Sequence, residues 1–270
     1  MKHTEIIADD WNKCSDSYYG RIYSGNAIHR FAADPMWAFP LEVREMLLRA
    51  FPDFQGKRVL VPSSGDNGAV FAFHLLGAKV TSADIAERQL CNARKIADAQ
   101  GWNIEFVQDD SMRLENIGDN EYDLVYTSNG VHVWINDLAA MYHNFQRVLK
   151  PGGSYIMFET HPFIRPFDGA AADKGEFVVH KLYESTGPFG EVPTYAWRIM
   201  DMANAMMEAG FIIRHMEEFH SQLGTFDCWW YQTPAQAEAD GYGKFDWKRN
   251  PWAALPQWIG FSARKGGSKT

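Results

Sequence analysis

Four side chains able to do polar or proton chemistry follow short apolar runs: Asp84, Asp110, His132 and His161. Carboxylates in such places accept hydrogen bonds from hydroxyl or amine groups, and an imidazole can take up a proton near neutral pH. Asp84 is the most telling. It lies about 20 residues past a glycine-containing turn, the separation at which a carboxylate can accept from a ribose diol. That turn, Pro62-Ser63-Ser64-Gly65-Asp66-Asn67-Gly68, has Ser63 and Asn67 where further glycines would let a pyrophosphate approach. It also carries an anion, Asp66, which would repel phosphates and attract an ammonium or sulfonium. The turn therefore leans towards a cationic ligand and away from a dinucleotide.

The elements that must position these groups are legible from apolar patterning. Val59-Leu60-Val61 suits a buried parallel strand, Ala69–Leu76 a helix packed on a sheet, and Lys79–Ala83 the next strand. Ala86–Gln100 reads as a helix stopped by Gly101, Ile104–Val107 as a third strand and Tyr122–Thr127 as a fourth. Asp137–Leu149 is a helix closed by Lys150-Pro151-Gly152-Gly153, a stop-and-turn signal, before a fifth strand at Tyr155–Glu159. Thr194–Ala209 reads as a helix, Phe211–Phe219 as a sixth strand and Gln257–Arg264 as a seventh. The last strand has no crossover helix before it, so it is expected to run antiparallel. The expectation is a doubly wound α/β fold with a mostly parallel seven-stranded sheet. Within one domain, residues 1–56 form an N-terminal helical cover and 57–160 the ligand-binding core. Residues 161–193, rich in Pro, Gly and Phe, are a lid-like insertion, and 194–270 complete the sheet with an aromatic-rich loop and a frayed end.

Composition excludes several classes. The 270 residues carry 34 Asp and Glu against 26 Lys and Arg, and a nucleic-acid partner would want a basic face. No apolar stretch approaches membrane-spanning length, which argues against a membrane partner. Met1–Asp10 is polar and acidic, unlike an export leader, and Cys14, Cys91 and Cys228 are scattered, as expected for reduced thiols in a cytoplasmic protein. Aromatic residues gather near both ends, including Trp11, Tyr18, Tyr23, Trp229, Trp230, Tyr231 and Trp252. They serve either packing or an aromatic-lined pocket.

Taken in register, VLVPSSGDNG, VTSADI, FVQDDS, YDLVYTSNGVH and LKPGG resemble the class I S-adenosylmethionine-dependent methyltransferases. The resemblance implies a Rossmann-like methyltransferase fold and S-adenosyl-L-methionine as cofactor. It would set Ser63, Ser64 and Gly65 against the amino-acid end of that cofactor, Asp84 on the ribose and Ile85 against the adenine. Asp110 and Ser111 would meet the adenine edge, with Ser128, Asn129 and Gly130 bordering the methionine part. Tyr18 would touch the cofactor from the covering segment. Two departures stand out: Val61 replaces the family's acidic residue after the first strand, and Ser63 and Asn67 replace turn glycines.

If the methyl acceptor carries a proton, His132 or His161 is the expected base; otherwise alignment and shielding suffice. Tyr23, Tyr195, Trp197 and Arg198 are the candidate substrate residues, and Tyr18–Tyr23 with the insertion are expected to close over the cofactor. His215, His220, Glu217 and Glu218 alternate faces, so no metal is expected. The acceptor reads as a small molecule or short peptide, with the attacking atom and oligomeric state open. A non-catalytic relative that binds the same cofactor, and an NAD-dependent oxidoreductase, are the competing readings.

Overall fold

The computed structural model describes residues 2–23, 27–172, 174–220 and 234–267. Cys228, Trp229, Trp230 and Tyr231 lie outside them. Strands β1 (Arg58–Pro62), β2 (Lys79–Asp84), β3 (Glu105–Gln108), β4 (Tyr122–Ser128), β5 (Leu149–Thr160), β6 (Phe211–Phe219) and β7 (Trp258–Lys265) make one sheet. Its order is β3-β2-β1-β4-β5-β7-β6. The first five strands pair in parallel, and β7 is antiparallel to both β5 and β6. The doubly wound, mostly parallel architecture with an antiparallel last strand is as expected.

Alternate residues of each central strand feed opposite cores, which is why these strands read as unbroken apolar runs. Val59, Val61, Leu124, Tyr126, Ile156 and Phe158 join one core. Leu60, Val125, Tyr155 and Met157 join the other. Helices α3 (Leu41–Ala50), α4 (Ala69–Leu75) and α5 (Glu87–Gln100) cover the first face, and α6 (Leu138–Val148) and α8 (Ile199–Glu208) the second.

Ahead of the sheet lie α1 (Lys2–Ile22) and α2 (Ala27–Ala33). Polar side chains fasten α1 to α5: Arg88 donates to both Asp16 oxygens at 2.7 and 2.6 Å, and Asn92 donates to Ser15 and Asp16. The hydrogen bonds from Arg88 and Asn92 hold the Asp16 carboxyl well below the usual carboxylate range. Among the described residues no helix is long and apolar enough to cross a membrane.

Three local expectations need correction. The Lys150-Pro151-Gly152-Gly153 run does not separate α6 from β5; it is a bulge inside β5. Leu149 pairs with Tyr122, the register then slips, and Ser154 pairs with Leu124. Gly152 takes a φ of +73°, and a Cβ on Gly153 would sit 3.0 Å from the Lys150 carbonyl oxygen and 3.2 Å from that of Tyr122, so the bulge needs both glycines. Second, α8 starts at Ile199 rather than Thr194. Asp201 accepts from the Arg198 backbone N–H, which caps the helix there. Third, the insertion has structure of its own: α7 (Gly169–Ala172) and bridges between Phe167 and Val179 and between Phe189 and Thr194. Trp252, beyond α9 (Pro234–Ala239), clasps it by donating to the Glu176 carbonyl at 3.0 Å and stacking on Phe177 at 5.1 Å.

Gly68 fixes where α4 begins. A Cβ there would lie 2.7 Å from the tip of the buried Phe31 ring on α2. Gly68→Ala is expected to cost about 1–3 kcal/mol in urea unfolding, the range for overpacking a filled core. Adding Phe31→Leu should return part of that loss, and strict additivity of the two changes would show that they do not touch.

Candidate functional site

Every strand that ends at the carboxyl edge near β1 contributes to one cleft. The chain leaves β1 through Ser63 and Gly65, both at φ +47°. Ser63 thus takes the left-handed conformation that favours glycine, and its hydroxyl lies 2.7 Å from that of Ser111 in the loop after β3. Asn67 is used differently from a glycine. Its Oδ1 accepts from the Ala69 N–H at 2.9 Å, and its Nδ2 donates to Ser128 Oγ at 2.7 Å, tying the turn to the end of β4. Behind the turn, the Tyr19 hydroxyl donates to the Gly65 carbonyl at 2.8 Å and the Tyr23 hydroxyl to the Asp66 carbonyl at 2.6 Å.

Asp84 sits at the centre and is only 6% exposed. Its Oδ2 accepts from the Gly65 N–H and its Oδ1 from the Ala86 N–H, each at 2.8 Å. Burial pushes the carboxyl up to about 6, against the lowering pull of those two N–H groups and with a further push from Asp66. Asp110 is also raised by burial, and it accepts from the Met112 N–H at 2.9 Å. Its neighbour Asp109 instead folds the loop, accepting from the N–H groups of Asp110, Glu115 and Asn116.

Ten of the expected cofactor residues line this one cleft: Ser63, Ser64, Gly65, Asp84, Ile85, Asp110, Ser111, Ser128, Asn129 and Gly130. Asp66 and Asn67 join them. The described lining holds three carboxylates and no Lys, Arg or His. Tyr18 packs on Trp11 at 5.4 Å, and it is Thr4, Ile7 and Trp11 of α1 that face inward. Trp11 meets Trp134 edge-on at 5.5 Å. The enclosed space is about 70 Å³. Sites for drug-sized ligands run from about 300 Å³ upward, so the cleft with α1 seated over it is narrower than a ligand site.

Both expected histidine bases are held by other partners. His132 is buried, with Nδ1 3.0 Å from Glu159 and Nε2 2.8 Å from the Tyr142 hydroxyl. Its backbone N–H also donates to Glu159 at 2.9 Å. Burial alone would raise Glu159, but the hydrogen bonds and charge of His132 and the charge of Arg165 hold it below its ordinary value. His161 accepts the Phe163 N–H on Nδ1 and pairs with Glu218 through Nε2 at 2.9 Å; burial pulls its pKa down. Neither ring lines a cavity at the site.

The expected substrate residues divide. Tyr23 is scaffolding behind the turn, edge-on to Phe71. Arg198 is spent on a two-pronged pair with Asp201, 2.8 Å on each side. Trp197 donates to the Ile135 carbonyl at 2.8 Å and stacks on Tyr195 at 5.7 Å. Tyr195 alone of the four lines a cavity. That second cavity, about 1110 Å³, is lined by residues of the insertion and of the Trp252 segment, and by Tyr195 and Val133, the latter next in the chain to Trp134 of the cleft. The Tyr195 N–H donates to the Val133 carbonyl, and its hydroxyl lies 2.7 Å from His3 Nδ1 on α1. Sequence reasoning passed over this chamber, and it named Trp11 and Tyr19 only within the aromatic-rich covering segment, without their contacts.

A methyltransferase-domain family profile matches residues 63–153. An uncharacterised methyltransferase of Bacillus subtilis (strain 168) is 26% identical over 182 residues, covering 60% of this chain and 69% of that protein. These matches support the class I S-adenosylmethionine-dependent methyltransferase family, with the methyltransferase domain at residues 63–153. An S-adenosylmethionine-dependent methyltransferase from Mesorhizobium loti shares the fold, with a TM-score of 0.60 at 22% identity over 83% of this chain and 95% of its own. So does phosphoethanolamine N-methyltransferase 2 of Haemonchus contortus, solved with S-adenosyl-L-methionine, at a TM-score of 0.57 and 16% identity over 91% of this chain and 59% of that one. The cofactor of this methyltransferase is S-adenosyl-L-methionine. The cleft's chemistry fits it: a buried carboxylate with no cation beside it keeps acceptor capacity that a diol can use.

Two outcomes follow from these geometries. Between its ordinary value of 3.8 and about 6, Asp84 keeps its proton in the folded chain and loses it in the unfolded one, so its contribution to stability falls as pH rises through that window. Asp84→Asn should flatten this component, and the wild-type minus variant difference in urea midpoint between pH 4 and 7 measures it. His132→Ala strands the Glu159 carboxylate in the interior, which should cost about 3–5 kcal/mol of stability. A loss under 1 kcal/mol on thermal unfolding would mean that His132 is not the anchor of Glu159.

Proposed function

We propose that this methyltransferase holds its cofactor in the acidic cleft, with Asp84 on the ribose and Asp110 on the adenine edge. The acceptor, a small molecule or short peptide, enters through the adjoining chamber. The observation that carries this reading is the cleft's charge: Asp66, Asp84 and Asp110 converge with no described cation among them. Such a lining attracts a sulfonium and an ammonium and repels a pyrophosphate, which disfavours a nicotinamide dinucleotide. When bound, the cofactor supplies a methyl group on a sulfonium, displaced in line with a thioether leaving group that needs no acid.

The chain's own part is alignment and shielding. The Ser63–Gly65 turn, pinned from behind by Tyr19 and Tyr23, and the Ser128–Gly130 turn, tied to it by Asn67, form a stiff cradle for the amino-acid end. Trp11 and Trp134 close the outer side against water. With His132 and His161 held by Glu159, Tyr142 and Glu218, we assign neither as a base. Transfer proceeds by proximity and desolvation, which suits an acceptor that arrives already nucleophilic.

Calorimetry tests the cofactor assignment. S-adenosylmethionine and S-adenosylhomocysteine should bind and NAD should not. Asp84→Ala should weaken both cofactor forms by about 1.5–3 kcal/mol, the worth of a hydrogen bond to a charged group. Unchanged affinity in that variant would remove Asp84 from the ribose site.

A further inference from the structure

The chamber beside the cleft has the opposite electrostatic character. Arg165, Lys174, Lys181, Lys244 and Arg249 line it, and none of its described lining residues is Asp or Glu. A chain with net charge −8 has thus gathered cations around a cavity of about 1110 Å³. Salt pairing accounts for Arg249, whose guanidinium donates to Asp240 at 2.8 Å. Arg165 has only a long pairing with Glu159 at 4.0 Å, and Lys181 has no carboxylate partner among the described residues.

Arg165 is fixed at the start of the insertion, its N–H bonded to the Pro162 carbonyl at 3.1 Å. Its side chain is 29% exposed, and the residue lines the chamber. Its nearest carboxylate is Glu159 at 4.0 Å, beyond hydrogen-bond reach and already engaged by His132 and by the Thr160 N–H. No hydrogen bond links the guanidinium to the described residues, so its forked donors are offered to the cavity. Lys181 donates only to neutral backbone oxygens, those of Leu182 at 3.3 Å and Ser185 at 3.1 Å, and lies 5.4 Å from the centre of the Phe189 ring. Burial lowers both pKa values, and the charge of Arg165 lowers Lys181 further, so the two cations feel each other across the space. An anion between them would relieve that repulsion and satisfy the fork. Around this pair stand Phe167, Phe189, Tyr195 and Trp252, an apolar and aromatic wall.

We propose that this chamber is the acceptor site and that it selects a small molecule with an apolar or aromatic body and one carboxylate or phosphate, seated on Arg165 and Lys181. The proposal rests on the cofactor lying in the adjoining acidic cleft. Tyr195 and Val133, the latter next in the chain to Trp134 of the cleft, would then face the part of the acceptor that receives the methyl group. Opposite charges in the two compartments would also sort the reactants: a cationic cofactor is repelled from the chamber, and an anionic acceptor from the cleft.

Calorimetric titration of the full chain with phenyl phosphate, 3-phenylpropionate and the neutral 3-phenylpropanol tests this, with and without saturating S-adenosylhomocysteine. At least one anion should bind about tenfold or more tightly than the alcohol, the effect of a charged hydrogen bond, and its affinity should fall with added salt. Which anion wins tells carboxylate from phosphate. Arg165→Gln and Lys181→Gln should each erase most of that preference while leaving S-adenosylhomocysteine affinity unchanged. Lys181, half-buried and bonded only to backbone oxygens, gives the variant least able to disturb folding, and thermal unfolding checks both. Asp84→Asn should do the reverse, weakening S-adenosylhomocysteine and sparing the anion. If the wild-type chain binds an anion by this pattern but no S-adenosylhomocysteine, the chamber stands and the cofactor assignment falls. Equal binding of alcohol and anions, no anion binding, anion binding indifferent to both variants, or exclusion of the anion by S-adenosylhomocysteine would each overturn the proposal.

Discussion

One buried carboxylate organises the carboxyl edge of this sheet. Asp84 ends β2, yet its oxygens take N–H groups from the turn after β1 and from the entrance to α5. The turn after β1, 19 residues back in the chain, is thereby held against the end of β2 and the start of α5, and the parallel pairing of β1 with β2 sets the distance between them. Burying an acid without a counter-cation is unfavourable, as the pKa of about 6 records. Backbone N–H groups of Gly65 and Ala86 offset part of that cost.

The central sheet was legible because its strands are buried on both faces and its turns carry glycine, asparagine or proline where the chain must bend. That these residues meet in one cleft was legible for the same reason: they are the first ones past strand ends, so their position follows once the strands are found. The altered turn was harder. Ser63 occupies a glycine conformation, and Asn67 becomes a bridge to Ser128, an interaction that joins residues 61 positions apart and leaves no local trace. The LKPGG run misled because a bulge and a turn ask for the same residues; only the pairing of Leu149 with Tyr122 tells them apart.

The histidines show where spacing stops being informative. His132 and His161 do follow strands at the ligand edge, as read from the sequence, but position does not reveal partners. Tyr142 lies on α6 and Glu218 on β6, and both reach these rings only after the chain has folded. The chamber lined by Arg165 and Lys181 was invisible for a related reason. Its walls come from the insertion and from residues some 80 positions later, and a cluster of cations drawn from both has no signature in either stretch. Trp252 is the exception in retrospect, an aromatic residue set between prolines and small residues where a loop has to be held down.

The contact between His3 and Tyr195 couples the two compartments in time. Helix α1 closes the cofactor cleft with Thr4, Ile7 and Trp11, and the same helix reaches the chamber wall through His3. If the proposed cofactor enters by an outward swing of α1, the bond to Tyr195 breaks and that wall loosens; reseating the helix rebuilds it. Under the proposed assignment of the two compartments, a chamber that is complete only after the helix has closed would favour a compulsory order of entry, cofactor first and acceptor second. Departure then runs in reverse, so the spent cofactor leaves last and opening of the helix becomes the natural candidate for the slow step of the cycle.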